Sequence, residues 1–123
     1  MKVLALDYGS ARTGVAVSDP TGTIARPLGV VEGAATEVGL ARLRDLIGEE
    51  APEQIVVGLP LTLRGEYGEQ ARETEVFVAA LQAAVDTPVV LFDERFTSVL
   101  ANGDDARAAA HLLSSYLEWS RDR

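Results

Sequence analysis

The sequence predicts an α/β fold with a mixed five-stranded sheet, from the order of its apolar strands and amphipathic helices. Two apolar runs separated by a Gly-Ser turn, Lys2–Leu6 and Val15–Val17, indicate a hairpin. Later, helical spacing over Thr36–Glu50 is followed by an apolar strand over Gln54–Gly58. A strand, helix, strand order implies parallel pairing through a crossover, so antiparallel and parallel pairs are expected in one sheet.

The other elements follow from the same patterns. Thr23–Val31 is predicted as a third strand, and Pro27 within it is typical of a sheet edge. An apolar stripe predicts a helix over Glu69–Ala84, and Val89–Phe92 is predicted as the fifth strand. The last helix is expected over Asp104–Trp119. Between the fourth strand and the helix at Glu69, a Gly-rich loop of about ten residues is long enough to be functional.

Length and composition narrow the classes of protein. The 123 residues suit one domain, residues 1–123, and the absence of cysteine excludes a disulfide framework or a thiolate metal site. No apolar run approaches the roughly 20 residues of a membrane span, and no basic leader precedes the first strand, so a cytoplasmic protein without a membrane partner is expected.

The charge balance is acidic. The formal net charge is −8, from 19 acidic and 11 basic residues. Such a balance argues against a protein that coats nucleic acid through a broad basic surface, because phosphate binding depends on neutralising charge. It does not exclude a local site, since carboxylates gathered around divalent ions can attract phosphate.

Three carboxylates stand where strands end or a helix begins: Asp7 after the first strand, Glu94 after the fifth, and Asp105 at the start of the last helix. Ligands of open α/β sheets gather beyond the carboxyl ends of the parallel strands. A sheet with the first strand beside the fourth and fifth would bring the three acids together. Oxygen ligands without Cys or a well-placed His favour Mg²⁺ or Mn²⁺, and two such ions can drive hydrolysis of a phosphodiester.

Each acid also has a purely structural interpretation. Asp7 before Tyr8-Gly9 suits a turn, Glu94 can pair with Arg95, and Asp105 can be a first-turn acid that complements the helix dipole. Taken singly, none of the three acids indicates a catalytic site. Only their expected convergence favours one.

Four blocks of sequence together resemble the YqgF (RuvX-like) family of pre-16S rRNA nucleases or Holliday junction resolvase-like proteins. The blocks are LALDYGSARTGVAVSD, VVGLP with its Gly-rich loop and GEQARE, DERFTS, and DARAAAHLLSSYLE, in the family's order. The resemblance implies an RNase H-like fold, with a five-stranded sheet antiparallel over its first three strands and helices on both faces.

The resemblance also implies roles for particular residues. Asp7, Glu94 and Asp105 match the family's acidic triad, with two Mg²⁺ or Mn²⁺ ions as the implied cofactors. Matches to polar positions make three further residues weak candidates for binding substrate phosphate or orienting an acid: Arg12, Arg95 and Thr97. Arg12 can equally well be a solvated turn residue, and Arg95 can equally well form a plain salt bridge with Asp93.

One departure from the family bears on the substrate. Relatives usually carry a longer basic stretch before the final acid, whereas only Ser98–Asp104 lies there in this chain, without a basic residue. We expect substrate contacts from Arg64 and Arg72 instead. RNA, as in 16S rRNA 5′-end processing, is therefore a better expectation than DNA, and a homodimer remains open.

Three functions remain as alternatives at this point. The first is a metal-dependent nuclease acting on precursor ribosomal or other structured RNA, with a Holliday junction resolvase-like DNA nuclease as its variant. The second is an ATP-binding module of the actin and sugar-kinase type, because Asp7, Gly9 and Gly14 resemble that superfamily's first phosphate loop. The third is a non-catalytic scaffold that retains the acids.

Overall fold

The computed structural model describes residues 1–62, 64–96, 104–121 and 123, with the side chain of residue 96 left out. Over these residues the strands and helices follow one another in the order that the sequence predicts. The elements are β1 (Val3–Asp7), β2 (Arg12–Ser18), β3 (Ala25–Glu32), α1 (Glu37–Glu50), β4 (Gln54–Leu59), α2 (Glu69–Ala84), β5 (Val89–Asp93), a single 3₁₀ turn (Glu94–Phe96) and α3 (Asp105–Arg121). Within the described ranges, no helix is long and apolar enough to cross a bilayer.

The five strands form one mixed sheet in the order β3-β2-β1-β4-β5. β2 pairs antiparallel with both β1 and β3, whereas β4 pairs parallel with both β1 and β5. The mixed sheet predicted from the sequence is therefore confirmed. β3 lies at an edge, as its proline predicts, and its register with β2 shifts between Val15 and Ala16, where Pro27 enters the pairing.

Helices cover both faces of the sheet. α1 and α2 bury residues such as Leu43 and Phe77 against one face, together with Leu4, Leu6 and Val57 of the central strands. The opposite face, formed by alternate residues of the same strands, packs against α3. Because the central strands are covered on both sides, they are apolar at nearly every position, which is why their sequence reads as unbroken apolar runs.

The boundaries differ from the predicted ones by a few residues. β2 begins at Arg12 instead of Val15, because Arg12 and Thr13 pair with the end of β3. Thr36 caps α1 as expected, since its hydroxyl accepts a hydrogen bond from the Gly39 amide at 3.1 Å. Before α3, the Asp104 carboxylate accepts one from the Arg107 amide at 3.0 Å.

Candidate active site

The parallel strands bring two of the predicted acids to the same end of the sheet. β1 and β5 lie on either side of β4 and run in the same direction, so Asp7 at the end of β1 and Asp93 at the end of β5 lie at one edge. The 3₁₀ turn then places Glu94 directly beyond β5. A side chain that reaches from Glu94 towards Asp7 must cross the end of β4.

A glycine on β4 opens the way for that side chain. Gly58 pairs with Phe92 across the sheet, just before the strands end. A Cβ at position 58 would stand 2.5 Å from Oε1 of Glu94 and 2.8 Å from its Cγ, closer than such atoms approach in proteins. The Glu94 side chain therefore lies across the backbone of β4, in the space that a larger residue would fill.

Asp7 and Glu94 are joined by a hydrogen bond between their side chains. Burial raises the pKa of Glu94 to about 7, and the neighbouring charge of Asp7 adds to this shift. The pKa of Asp7 is also raised, mainly by burial, although the hydrogen bond from Glu94 lowers it. The carboxyl of Glu94 is thus the one that holds a proton near neutral pH, and its O–H donates a hydrogen bond to the Asp7 carboxylate.

Asp105 lies near this pair without joining it. The first turn of α3 rests on β2 at Gly14, where a Cβ would stand 1.8 Å from the carbonyl oxygen of Asp105. The Asp105 carboxylate is close enough to raise the pKa of Asp7, yet it pairs with Arg12, whose Nε lies 3.2 Å from Oδ2. Among the described residues, no group of three Asp, Glu, His or Cys side chains could hold a metal ion together.

The predicted triad is therefore assembled only in part. Asp7 and Glu94 are in contact, whereas Asp105 lies near them and pairs with Arg12. Its place in a shared ion site stays a prediction. Arg12 itself is neither a free turn residue nor a member of the acid pair. At the start of β2, its guanidinium pairs with the carboxylate of Asp105 in the first turn of α3.

A cleft of about 230 Å³ opens beside the acid pair. One wall comes from the β1–β2 turn, with Tyr8 and Ser10, and the other from the first turns of α2. The residues that line it are Asp7, Tyr8, Gly9, Ser10, Pro60, Gln70, Glu73, Thr74 and Glu94. Sequence reasoning did not single out Tyr8 or the α2 residues. The spacing of Gln70, Glu73 and Thr74 on one side of a helix that follows a Gly-rich loop could have indicated them.

The weaker candidate residues have different positions. Arg95 forms a salt bridge with Asp93, with Nη2 2.6 Å from Oδ2, and its guanidinium also lies against Gly65 of the β4–α2 loop. A salt bridge to Asp93 is one of the two interpretations of Arg95 that the sequence leaves open. The pairing lowers the pKa of Asp93. Arg64 and Arg72 are exposed and are not among the described residues that line the cleft. Thr97 lies outside the described residues.

Comparisons with known proteins place the chain in a family. The sequence profile of RuvX, described as Holliday junction resolvase, matches residues 1–119. A protein of Chloroflexus aggregans, named "Putative pre-16S rRNA nuclease", is 46% identical over 99 residues, which cover 80% of this chain and 70% of that protein. A relative of the same name in Rubrobacter xylanophilus is 43% identical over 131 aligned positions, covering 95% of this chain and 92% of the relative. Since this chain has 123 residues, that relative contains residues without a counterpart here.

Solved structures show the same fold at low sequence identity. RuvC of T. thermophilus in complex with a Holliday junction substrate superposes with a TM-score of 0.66 at 18% identity, over 99% of this chain and 96% of RuvC. Fowlpox virus resolvase in complex with Holliday junction DNA gives 0.61 at 13% identity, over 98% and 99% of the two chains. The chain therefore has an RNase H-like fold and belongs to the RuvX family of nucleases.

Proposed function

We propose that the chain is one RNase H-like domain, residues 1–123, that hydrolyses phosphodiester bonds of structured or precursor ribosomal RNA with Mg²⁺ or Mn²⁺. The observation that carries this proposal is the Asp7–Glu94 pair: two carboxyl groups held in contact, partly buried, beside an open cleft. Such a pair is costly to build, because burial and mutual repulsion both disfavour its charges. A pair of this kind is typical of a site that receives a cation.

The donor chemistry of the pair fits a hard divalent ion. Both side chains offer carboxylate oxygens, which Mg²⁺ and Mn²⁺ prefer. Burial and the charge of Asp7 raise the pKa of Glu94, and a cation bound there would take the place of the proton that Glu94 carries. Asp7, at the centre, would hold both ions, with Glu94 and Asp105 each holding one. Asp105 could take this role only after it parts from Arg12.

The side chains at the site then have distinct roles. When bound, the two ions would activate a water and stabilise the leaving oxygen of an in-line displacement. Glu94 would release its proton when an ion binds, and Asp7, which interacts with both Glu94 and Asp105, would hold the ions beside them. Arg12, once released from Asp105, is an exposed guanidinium at the edge of the site that can contact a phosphate.

The choice of RNA is supported by the names of the relatives. Relatives that are 46% and 43% identical carry the name "Putative pre-16S rRNA nuclease". A protein that acts on precursor ribosomal RNA would work in the cytoplasm.

A cleavage assay tests the proposal. Wild type, Asp7→Asn and Glu94→Gln are each incubated with Mn²⁺ or Mg²⁺ and a precursor RNA carrying an extended 16S 5′ end. We expect wild type to cleave and both variants to lose at least about 100-fold in rate, since each replaces a carboxyl group that is proposed to hold the ions. Equal cleavage by all three proteins would refute the assignment of the acids.

Four-way junction DNA is the second candidate substrate, favoured by the description of the matching family. The same assay includes it beside the RNA. Preferential cleavage of the junction would replace RNA by DNA in the proposal and leave the acid pair in its role. Metal binding without cleavage of either substrate would favour the scaffold, and calorimetric binding of ATP would favour the phosphate-loop alternative.

A further inference from the structure

The cleft beside the acids has a wall that the hydrolysis of a phosphodiester does not use. Tyr8 follows Asp7 directly and stacks on Phe77 of α2, with ring centroids 4.4 Å apart and an angle of 16° between the planes. Phe77 is almost completely buried, so it fixes the tyrosine ring from behind. Tyr8 is only half-buried and lines the cleft. The site thus contains a rigid aromatic surface next to a catalytic acid.

Glu73 lies on the α2 wall of the same cleft, one helical turn before Phe77. It is exposed, lines the cleft, and is close enough to Tyr8 that its charge, after burial, raises the pKa of the tyrosine hydroxyl. A carboxylate here would repel a phosphate group. It suits hydrogen-bond donors, which in nucleic acid are the amino and imino groups on base edges and the sugar hydroxyls.

We propose that Tyr8 and Glu73 form a nucleobase subsite, in which an unpaired base stacks on the Tyr8 ring and donates hydrogen bonds to the Glu73 carboxylate. The inference rests on the proposed function and specifies its substrate: a nucleotide next to the scissile bond must be unpaired, because a base within a duplex already stacks on its neighbours and has its pairing edge occupied. Stacking on aromatic side chains is a general means by which proteins hold unpaired bases.

The chemistry of the acceptor favours guanine. A carboxylate has two oxygens that can accept two parallel hydrogen bonds. Guanine presents two adjacent donors on one edge, its ring N1–H and its amino group, whereas the pairing edges of adenine, cytosine and uracil each present one donor. Guanine is therefore expected to bind this subsite more tightly than the other three bases.

Binding of free nucleosides tests the subsite without any metal or cleavage. Guanosine, adenosine, cytidine and uridine are titrated separately into the protein in the presence of EDTA, and the tyrosine ring protons are followed by NMR. We expect guanosine to bind most tightly and to shift the Tyr8 resonances upfield by stacking. The resonances are assigned with Tyr8→Phe, which keeps the ring and should bind within about twofold of wild type.

Variants separate the two parts of the subsite. Tyr8→Leu should weaken guanosine binding about 5- to 100-fold, and Glu73→Gln should remove most of the preference for guanosine. Tyr67→Leu, at an exposed tyrosine outside the lining of the cleft, is the matched control and should bind like wild type. Thermal unfolding verifies that each variant is folded.

Three results would overturn the subsite: unshifted Tyr8 resonances in the wild type, undiminished affinity in a folded Tyr8→Leu, or an unchanged order of nucleoside affinities in Glu73→Gln. The wild-type measurement stands even if a variant does not fold. Failure of the proposed nuclease activity would appear separately, as absent cleavage by a protein that still binds guanosine.

Discussion

The acid pair depends on a residue that has no side chain. Glu94 can reach Asp7 only because Gly58 leaves the end of β4 open, and the atoms that would meet a Cβ there belong to the glutamate side chain and not to the backbone. A flexible side chain can move aside, whereas a strand cannot. A larger residue at position 58 should therefore disturb the site much more than the fold.

Gly58→Ala provides the corresponding test. We expect the variant to lose at least about 10-fold in cleavage rate, because the Glu94 carboxyl must leave Asp7, while the free energy of unfolding changes by no more than about 1–2 kcal/mol. Rates are measured with Mn²⁺, and stability by urea unfolding. Gly29→Ala, where a Cβ would meet nothing within 4 Å, is the control and should keep its rate. Full activity in Gly58→Ala would contradict the described position of Glu94.

The raised pKa of Glu94 links folding to pH. In the folded chain this pKa is about 7, whereas its ordinary value is 4.5. Between these values the unfolded chain has released the proton that the folded chain still holds. The free energy of unfolding should therefore fall as the pH rises through this window.

Urea unfolding in EDTA at about pH 5 and about pH 8 measures this dependence. Between the lower and the higher pH, wild type should lose more of its free energy of unfolding than Glu94→Gln does. The variant has no proton to lose at position 94. Added Mg²⁺ should recover part of the loss at the higher pH, since an ion that binds the folded state stabilises it. Identical pH dependence in the two proteins would show that Glu94 does not carry the buried proton.

At the scale of elements, the site depends on how closely α3 approaches the sheet. The carbonyl oxygen of Asp105 lies over Gly14, the partner of Asp7 in the β1–β2 pairing. This contact sets how closely the first turn of α3 approaches the sheet, and therefore the distance from Asp105 to Asp7. Arg12, at the beginning of the same strand, holds the Asp105 carboxylate from the side.

Gly14→Ala should act on the fold as well as on the site. The obstructing atoms are backbone, so the first turn of α3 has to move, and overpacking of this kind typically costs about 1–3 kcal/mol. We expect a lower urea midpoint than in Gly29→Ala and a slower cleavage rate. Unchanged stability in Gly14→Ala would show that α3 does not rest on β2 at this residue.

The order of the elements could be predicted from sequence, because apolar runs and helical spacing are local features. The ends of β1 and β5 could be predicted as a meeting point for Asp7 and Glu94, since parallel strands align their carboxyl ends. The contacts that finish the site could not. That Gly14 and Gly58 lie beneath the acids, that Arg12 pairs with Asp105, and that Tyr8 stacks on Phe77 are all consequences of packing between distant segments.

For the whole molecule, the acidic surface limits how RNA can be held. With a net charge of −8, few phosphates of the proposed RNA substrate can be neutralised by the chain itself, and the proposed ions would have to supply much of the attraction. Arg64 and Arg72, near the β4–α2 loop, are exposed and are the residues that we propose to contact phosphates directly. The affinity for RNA should therefore depend only weakly on salt.

A double variant, Arg64→Ala/Arg72→Ala, measures their share. If each arginine contacts one phosphate of single-stranded RNA, the slope of log K against log salt should become shallower by about 1.4. Binding is measured by fluorescence anisotropy with Ca²⁺ in place of Mg²⁺. Arg42→Ala/Arg44→Ala, which removes two exposed charges from α1, is the matched control. Equal slopes in the two double variants would remove Arg64 and Arg72 from the substrate site.

The most direct test of the account is calorimetric titration of Mn²⁺ into the wild type at about pH 6, in two buffers of different ionisation enthalpy. If a cation replaces the proton that Asp7 and Glu94 share, binding should release about one proton, and both the binding and the release should be lost in Asp7→Asn and Glu94→Gln. Mn²⁺ binding without proton release, or binding that survives in both variants, would contradict the proposal that these two acids form the metal site.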